Sequence, residues 1–508
     1  MKGAGKVISA KKGVSVRIIT LVFFILAAVF TVTICSKSSP IYPLNDWDDP
    51  NCFFTVGKAM ANGKILYKDI FEQKGPLLYM LHMLAYQISA KTFLGVYFIE
   101  IISCFFFLCF SYKTFLLFSK GKSLEPIALL CAFVFTSFAF CSGDSAEELC
   151  LPLLSYSFYT ALSCVKKNKP LPFSHALISG IWLGAILWIK FTMLGFYIGF
   201  VIAFIILYIR QKNIRRIWSS AAVMIAGIII SSIPIIIYFL KYNAFDQLIE
   251  VYFYDNVFMY TTGSDIPPVL RHIVNLFSGL LSFFLNNPFG LLCLILGYIR
   301  IFRKESIQLR IVFTAITVST FFFSFVGGRS YAYYSLVMSV FAPPGVSLVY
   351  DIVRKKLQDK NNKRLTAAVK TGAYALSLAV TVFMCRNIYL VFTPKQELPQ
   401  FRFNKIISAA ENPTLLNYGF LDGGFYTVSG IVPDCRFFCE LNIELDEMYE
   451  VQNEYVKNGK AVFVVTKDEK PEFEMYECID QAESRYWSQT STYYLYRLKS
   501  YNESAVDS

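Results

Sequence analysis

The chain holds 508 residues, 55% of them hydrophobic and 17% aromatic, with only 17% charged and a net charge of +12. A soluble domain carries nearer a quarter charged residues, and apolar runs of about 18 residues, each enough to cross ~30 Å of hydrocarbon, recur over the first 390 positions. That excludes an ordinary soluble enzyme and predicts an all-α polytopic membrane protein. Only three His occur (His82, His175, His272), and the 13 Cys are scattered without a C-x-x-C pair. Both facts argue against a zinc site or a Ser-His-Asp hydrolase.

In chain order, Lys2, Lys6, Lys11, Lys12 and Arg17 precede the apolar run 18–35. No A-x-A-like site follows and further spans do, so the run reads as an uncleaved first span. Ten more are expected at 93–118, 124–141, 149–165, 174–189, 191–209, 217–240, 273–299, 308–326, 331–350 and 367–390. Every second connection is basic: the N-terminus, "SKGK" (119–122), "KKNK" (166–169), "RQKNIRR" (210–216), "RIFRKE" (300–305) and "RKKLQDKNNKR" (354–364). The positive-inside rule makes these cytoplasmic. Eleven spans then place the N-terminus inside and the C-terminus outside a plasma membrane. Residues 391–508 hold 11 Lys and Arg against 19 Asp and Glu, whereas the rest hold 37 against 17. The positive excess is therefore a topology signal, and nucleic acid is not an expected partner. The expected domains are 1–390, a transmembrane domain with a long first outer loop at 36–92, and 391–508, an exoplasmic soluble α/β domain. Its strands are read in "TLLNYGF", "AVFVVT" and "YYLYRL", with a charged helix at 440–458. Cys435 and Cys439 can pair or share a helix face; with Cys478 the count is odd, and no disulfide framework is read.

The loop 36–92 reads as two short interfacial helices. The first starts at Asp49-Pro50, an N-cap followed by Pro at the first helical position. It presents Phe53, Val56 and Met60 on one face and ends at Asn62-Gly63. The second starts at "KGP" (74–76) and lines up Leu77, Leu81, Leu84 and Ile88 for the membrane interface. Asp46, Asp48 and Asp49 cluster at the start of the first helix, and Asp46 reads as a solvated loop acid. On helix statistics alone, Asp49 is a cap.

The stretch "DDPNCFFTVGKAMANGKILYKDIFEQKGPLLYMLHML" resembles the first outer loop of GT-C-type membrane glycosyltransferases, in the bacterial branch similar to dolichyl-phosphate-mannose-protein mannosyltransferases and RgtA. Asp49, Gly63, Tyr67, Asp69, Lys74, Gly75, Pro76, Leu77 and Tyr79 carry the pattern. The resemblance implies transfer of a sugar from a polyprenyl-phosphate carrier to an extracytoplasmic acceptor, such as a wall polysaccharide, teichoic acid, lipid or protein. No cofactor is required for certain, and a divalent cation is left open. Asp49 matches the family acid and becomes the candidate base, with Asp48 beside it; Asp69, Lys74 and Pro76 become the structural loop motif. Such chemistry needs a base at the acceptor hydroxyl and cations at the leaving phosphate.

In "CSGDSAEEL" (141–149), Glu147 and Glu148 are candidates for an acceptor-side or metal-adjacent site, or simply negative charge at a helix N-terminus. Lys190, between two apolar runs, is a candidate for the donor phosphate or a snorkelling anchor. Arg329 and Tyr334 in "GGRSYAYYSL" are further phosphate candidates or an interfacial belt; Tyr333 stands where the resemblance commonly has His. The aromatic loop 241–272 can cover a groove or form a belt. Two other functions stay open: a transporter or flippase of lipid-linked glycans, against which stands the lack of an internal repeat, and an inactive membrane scaffold.

Overall fold

The computed structural model describes residues 2–259, 267–327, 330–443, 445–486 and 489–501. Helix α1 (Lys2–Cys35) is followed by α2 (Asp48–Ala61) and α3 (Pro76–Tyr86). Next come α4 (Leu94–Phe118), α5 (Glu125–Phe135), α6 (Ala146–Lys166) and α7 (Phe173–Ile189). A 3-10 turn, Phe191–Leu194, leads into α8 (Gly195–Arg210). After α9 (Ile214–Lys241) and the short α10 (Phe245–Gln247), a π-helical stretch runs over Leu248–Met259. Then follow α11 (Pro268–Asn286), α12 (Pro288–Lys304), α13 (Ile307–Phe325), a 3-10 segment Ala332–Phe341, α14 (Pro343–Asp359) and α15 (Lys363–Phe383).

Among the described residues, seven helices are long and apolar enough to cross a membrane alone: Arg17–Cys35 of α1, α4, α6, Phe191–Arg210, α9, α13 and α15. The expected span 273–299 is instead a pair, α11 and α12, meeting at 105°. Its break has a local cause. Asn287 caps α12, its Oδ1 accepting from Gly290 N at 3.0 Å, and Pro288 at the first position has no N–H to continue the ladder. The expected span 331–350 likewise bends by 56° where Ala332–Phe341 meets Pro343. The run expected at 124–141 forms an 11-residue helix, α5, about 16 Å long and too short to cross alone. Seven spans, or nine with each bent pair counted once, make this a multi-pass membrane protein.

The chain forms two compact units, one of residues 1–36, 98–231 and 265–386, the other of 37–97, 232–264 and 387–508. In the first unit, Phe158 meets Phe341 edge-on at 5.0 Å, and Phe196 stacks on Phe341 at 6.3 Å. The outer surface stays apolar. Ile225 and Ile229, one turn apart on α9, are both about half exposed, a pair that suits lipid rather than water.

In the second unit, α2 is buried from Pro50 through Met60. It is a core helix and not the interfacial one expected, because the C-terminal segment covers the face that "DDPNCFFTV" alone would leave open. Gly57 permits the close approach to α3: a Cβ there would lie 2.6 Å from Met83 N. Helix α3 does leave its expected apolar row outward, with Leu77 and Leu81 half-buried and Leu84 and Ile88 exposed. The C-terminal segment adds α16 (Pro399–Ile407), α17 (Phe425–Ser429) and α18 (Asp446–Lys457). Strands β1 (Leu415–Asn417), β2 (Phe463–Lys467), β3 (Tyr476–Tyr486) and β4 (Gln489–Leu498) form one sheet in the order β1-β2-β4-β3. β1 and β2 are parallel, and the other pairs are antiparallel.

Candidate functional site

The candidate residues fall in both units, and each group is built within its own unit. In the second, the sequence 45–51 is tied into the start of α2. Asn45 Oδ1 accepts from Trp47 N at 3.1 Å, and Asn51 Nδ2 donates to Asn45 O at 2.7 Å and Trp47 O at 2.8 Å. Trp47, not Asp49, occupies the N-cap position, and no side chain caps the helix there. Asp48 and Asp49 both lie inside the first turn, where the helix dipole favours negative charge. Burial, opposed by Lys467 and reinforced by Asp49, Asp422 and Asp46, pushes the Asp48 carboxyl up to about 7. Asp46 is not the solvated acid expected: it is ion-paired to the fully buried Lys37 and accepts from Tyr389 Oη at 3.4 Å.

The loop motif folds on itself. Tyr67 sits at φ +66°, a backbone region few non-glycine residues adopt. Its ring stacks on Phe239 at 5.5 Å, and its hydroxyl donates to Lys74 O. Tyr79 Oη accepts from Lys74 N at 2.9 Å, and Asn256 Nδ2 donates to Gln73 O at 2.7 Å. Asp69 Oδ2 closes the preceding turn by accepting from Ile65 N at 2.8 Å, and Pro76 opens α3. The Lys74 backbone is thus fixed on both sides, with its Nζ 3.5 Å from Glu72 Oε1 and 5.7 Å from the Phe53 ring centre. Burial raises the Glu72 carboxyl, with Lys74 opposing.

One group here was not read from sequence. Asn51, Thr55 and Lys58, at i, i+4 and i+7 of α2, are fully buried and all reach the segment 422–427. Thr427 Oγ1 donates to Asn51 Oδ1 at 2.9 Å, Thr55 Oγ1 donates to Asp422 Oδ2 at 2.6 Å, and Lys58 Nζ donates to Tyr426 O. Asp422 also accepts from Asn417 Nδ2 and Gly424 N, each at 3.0 Å. Burial lowers the Lys58 ammonium to about 7, against the pull of Asp422. Polar residues at helical spacing in an otherwise apolar helix were the available signal. Cys439 lies beside Cys52, with the sulfurs 3.8 Å apart, and Cys435 and Cys439 are both free thiols rather than a pair.

In the first unit, the structure brings Glu147, Lys190 and Tyr334 together. Lys190 ends α7 in extended conformation, and its buried Nζ is ion-paired to Glu147. The same Nζ lies 3.9 Å from the Tyr334 ring centre and 5.2 Å from that of Tyr333, a cation held over two aromatic faces. Glu147 Oε2 is buried without a hydrogen-bond partner among the described residues. Glu148, one residue on, points elsewhere: Asp144 N donates to Glu148 Oε2 at 2.8 Å and to Glu100 Oε1 at 3.0 Å. Ser36 Oγ donates to Glu100 Oε2 at 2.9 Å. Glu148 therefore braces the loop before α6. Arg329 lies outside the described residues. Among the described residues, no group of three or more His, Cys, Asp or Glu is arranged to hold a metal ion.

Among solved structures, the chain is similar to the crystal structure of ArnT from Cupriavidus metallidurans in the apo state, with a TM-score of 0.55 at 11% identity. The match covers 90% of this chain and 93% of that one. The fold is of the GT-C type. At that identity the likeness concerns architecture alone. No protein-family profile matches the chain, and no curated protein does.

Proposed function

We propose that this chain transfers a sugar from a polyprenyl-phosphate carrier to an acceptor outside the cytoplasmic membrane, with the aspartates of the first α2 turn supplying the base. The acceptor oxygen attacks the anomeric carbon, the bond from that carbon to the phosphate oxygen breaks, and the polyprenyl phosphate departs with the electron pair. The acceptor proton passes to a carboxylate. The observation that carries this reading is the Asp48–Asp49 turn in a GT-C-type fold, with the Asp48 carboxyl held near 7, close to the pKa best suited to a general base at neutral pH. Asp48 is accordingly the proton acceptor of the pair, and Asp49, the residue that the motif resemblance favours, keeps its affinity for the proton high. Lys190, Arg329 and Tyr334 are the candidates for donor phosphate, and Glu147 for the acceptor side.

A transporter of lipid-linked glycans is the second reading, favoured by the 105° helix break, a feature transporters share. Purified protein in detergent, given radiolabelled undecaprenyl-phosphate sugars and a glycan acceptor, separates the two. Covalent label on the acceptor supports the transferase; label that only crosses a liposome bilayer overturns it. The basic connections support an extracytoplasmic C-terminal domain, so a reporter placed after Lys360 is expected to be active inside and one after the C-terminus outside. Two reporters active on the same side contradict that orientation.

A further inference from the structure

The first unit contains a cavity of about 550 Å³, within the range of small-molecule pockets, walled by α5, α12, α14 and α15. Along α14 it runs from Val346 to Gln358, about 18 Å by helical rise, or roughly one leaflet of hydrocarbon. Its polarity is graded. Leu129, Phe133, Phe289 and Val349 line the body, whereas Glu125, Arg354, Gln358 and Lys370 gather at one end.

The charges at that end do not cancel. Glu125 is paired with Lys370, with Oε1 and Nζ 3.3 Å apart. Asp351, one turn before Arg354 on α14, is taken by Arg300 at 3.0 Å and by the amide of Lys120 at 3.1 Å. Tyr350 Oη is bonded to Ser123 Oγ at 2.9 Å. Arg354 is left half-buried with no ion pair or hydrogen bond among the described residues. It also begins the stretch 354–364, from the last turns of α14 into the start of α15, which holds six Lys or Arg against one Asp. An apolar slot one leaflet long, ending at a free guanidinium beside a basic helix junction, complements an amphiphile with an acyl chain and an anionic head.

We infer that this slot binds an anionic bilayer phospholipid, one acyl chain lying between α5, α12, α14 and α15 and its phosphate on Arg354. The site is separate from every residue assigned to sugar transfer, so it stands or falls independently of that reading.

The test is native mass spectrometry of the delipidated full-length protein, titrated with phosphatidylglycerol or with phosphatidylcholine of the same acyl chains. One phosphatidylglycerol is expected to bind at about tenfold lower concentration than phosphatidylcholine, the scale set by one charge-assisted phosphate contact. Arg354→Gln is expected to erase that preference and Arg354→Lys to keep most of it. Ala373→Phe, which fills the slot from α15, is expected to weaken both lipids while the protein stays monodisperse. Equal binding of the two lipids by the wild type overturns the inference, as does an unchanged preference in Arg354→Gln. Displacement of phosphatidylglycerol by inorganic phosphate alone, or by undecaprenyl phosphate at lower concentration, overturns it as well, since the slot then serves a free anion or the carrier lipid.

Discussion

Glu147 and Asp48 are both acids in the first turn of a helix, one in each unit, yet their electrostatic settings are opposite. Glu147 faces a buried ammonium, Lys190, and the pair is boxed by the rings of Tyr333 and Tyr334. Asp48 faces other acids, Asp49, Asp422 and Asp46, with Lys467 as the cation opposing them. A buried carboxylate paired to a cation is held in place by it, because losing either partner strands the other. A carboxyl pressed by burial and like charge toward neutrality can give and take a proton under ordinary conditions. Position in a helix does not decide between these roles. The company each acid keeps does.

That contrast is broken most forcefully by removing Asp48. Asp48→Asn is expected to cut transfer by roughly 10²–10⁴-fold with donor binding and melting temperature near wild type; a large fall in melting temperature would make Asp48 a structural acid. Conversely, Glu147→Gln leaves Lys190 charged and unpaired, at an expected cost of about 3–5 kcal/mol in stability. Chemical denaturation of Glu147→Gln, Lys190→Met and the double variant measures this. The double variant should recover most of the loss, and simple additivity would show that the pair is not coupled. Lys190→Met alone is expected to weaken polyprenyl-phosphate-sugar binding by about ten- to a hundredfold, and unchanged affinity would confine Lys190 to its partner Glu147. Thr55→Val, which removes one bond to Asp422, should cost about 1–2 kcal/mol.

A further expected effect concerns pH. The ammonium of Lys58 falls from 10.5 when unfolded to about 7 in the fold. Between those values the unfolded chain binds more protons, so this group makes stability rise as pH climbs from about 7 toward 10. Lys58→Met is expected to flatten that rise in a pH series of melting curves; an undiminished slope would place its origin elsewhere.

Much of the membrane architecture was legible, because apolar runs and alternating basic loops report it directly. Helix breaks were less so. Asn287-Pro288 sits inside a continuous greasy stretch whose composition hides the 105° turn. In the C-terminal domain, β1, β2 and β4 follow apolar runs, whereas β3, "YECIDQAESRY", is an edge strand interrupted by Glu477, Asp480, Glu483 and Arg485. Such charge protects an edge and conceals it from hydrophobic patterning. The loop motif was readable as a pattern, but its physical purpose, two tyrosine hydroxyls fixing the Lys74 backbone, required tertiary contacts. So did the Lys37–Asp46 and Lys190–Glu147 pairs, whose partners lie 9 and 43 positions apart. The burial of α2 escaped for the same reason: it depends on residues 422–427, far away in sequence.

The central claim, that an aspartate of the first α2 turn is the base of a sugar transferase, is tested most directly by the pH profile of transfer in wild type, Asp48→Asn and Asp49→Asn at saturating donor. The wild-type rate is predicted to rise through about pH 7 as Asp48 ionises. In Asp49→Asn, with one raising charge gone, the same limb should move to lower pH while its plateau survives; in Asp48→Asn the limb and the plateau should both be lost. Full activity in Asp48→Asn together with a dead Asp49→Asn would hand the proton to Asp49, and wild-type rates in both variants would contradict the account.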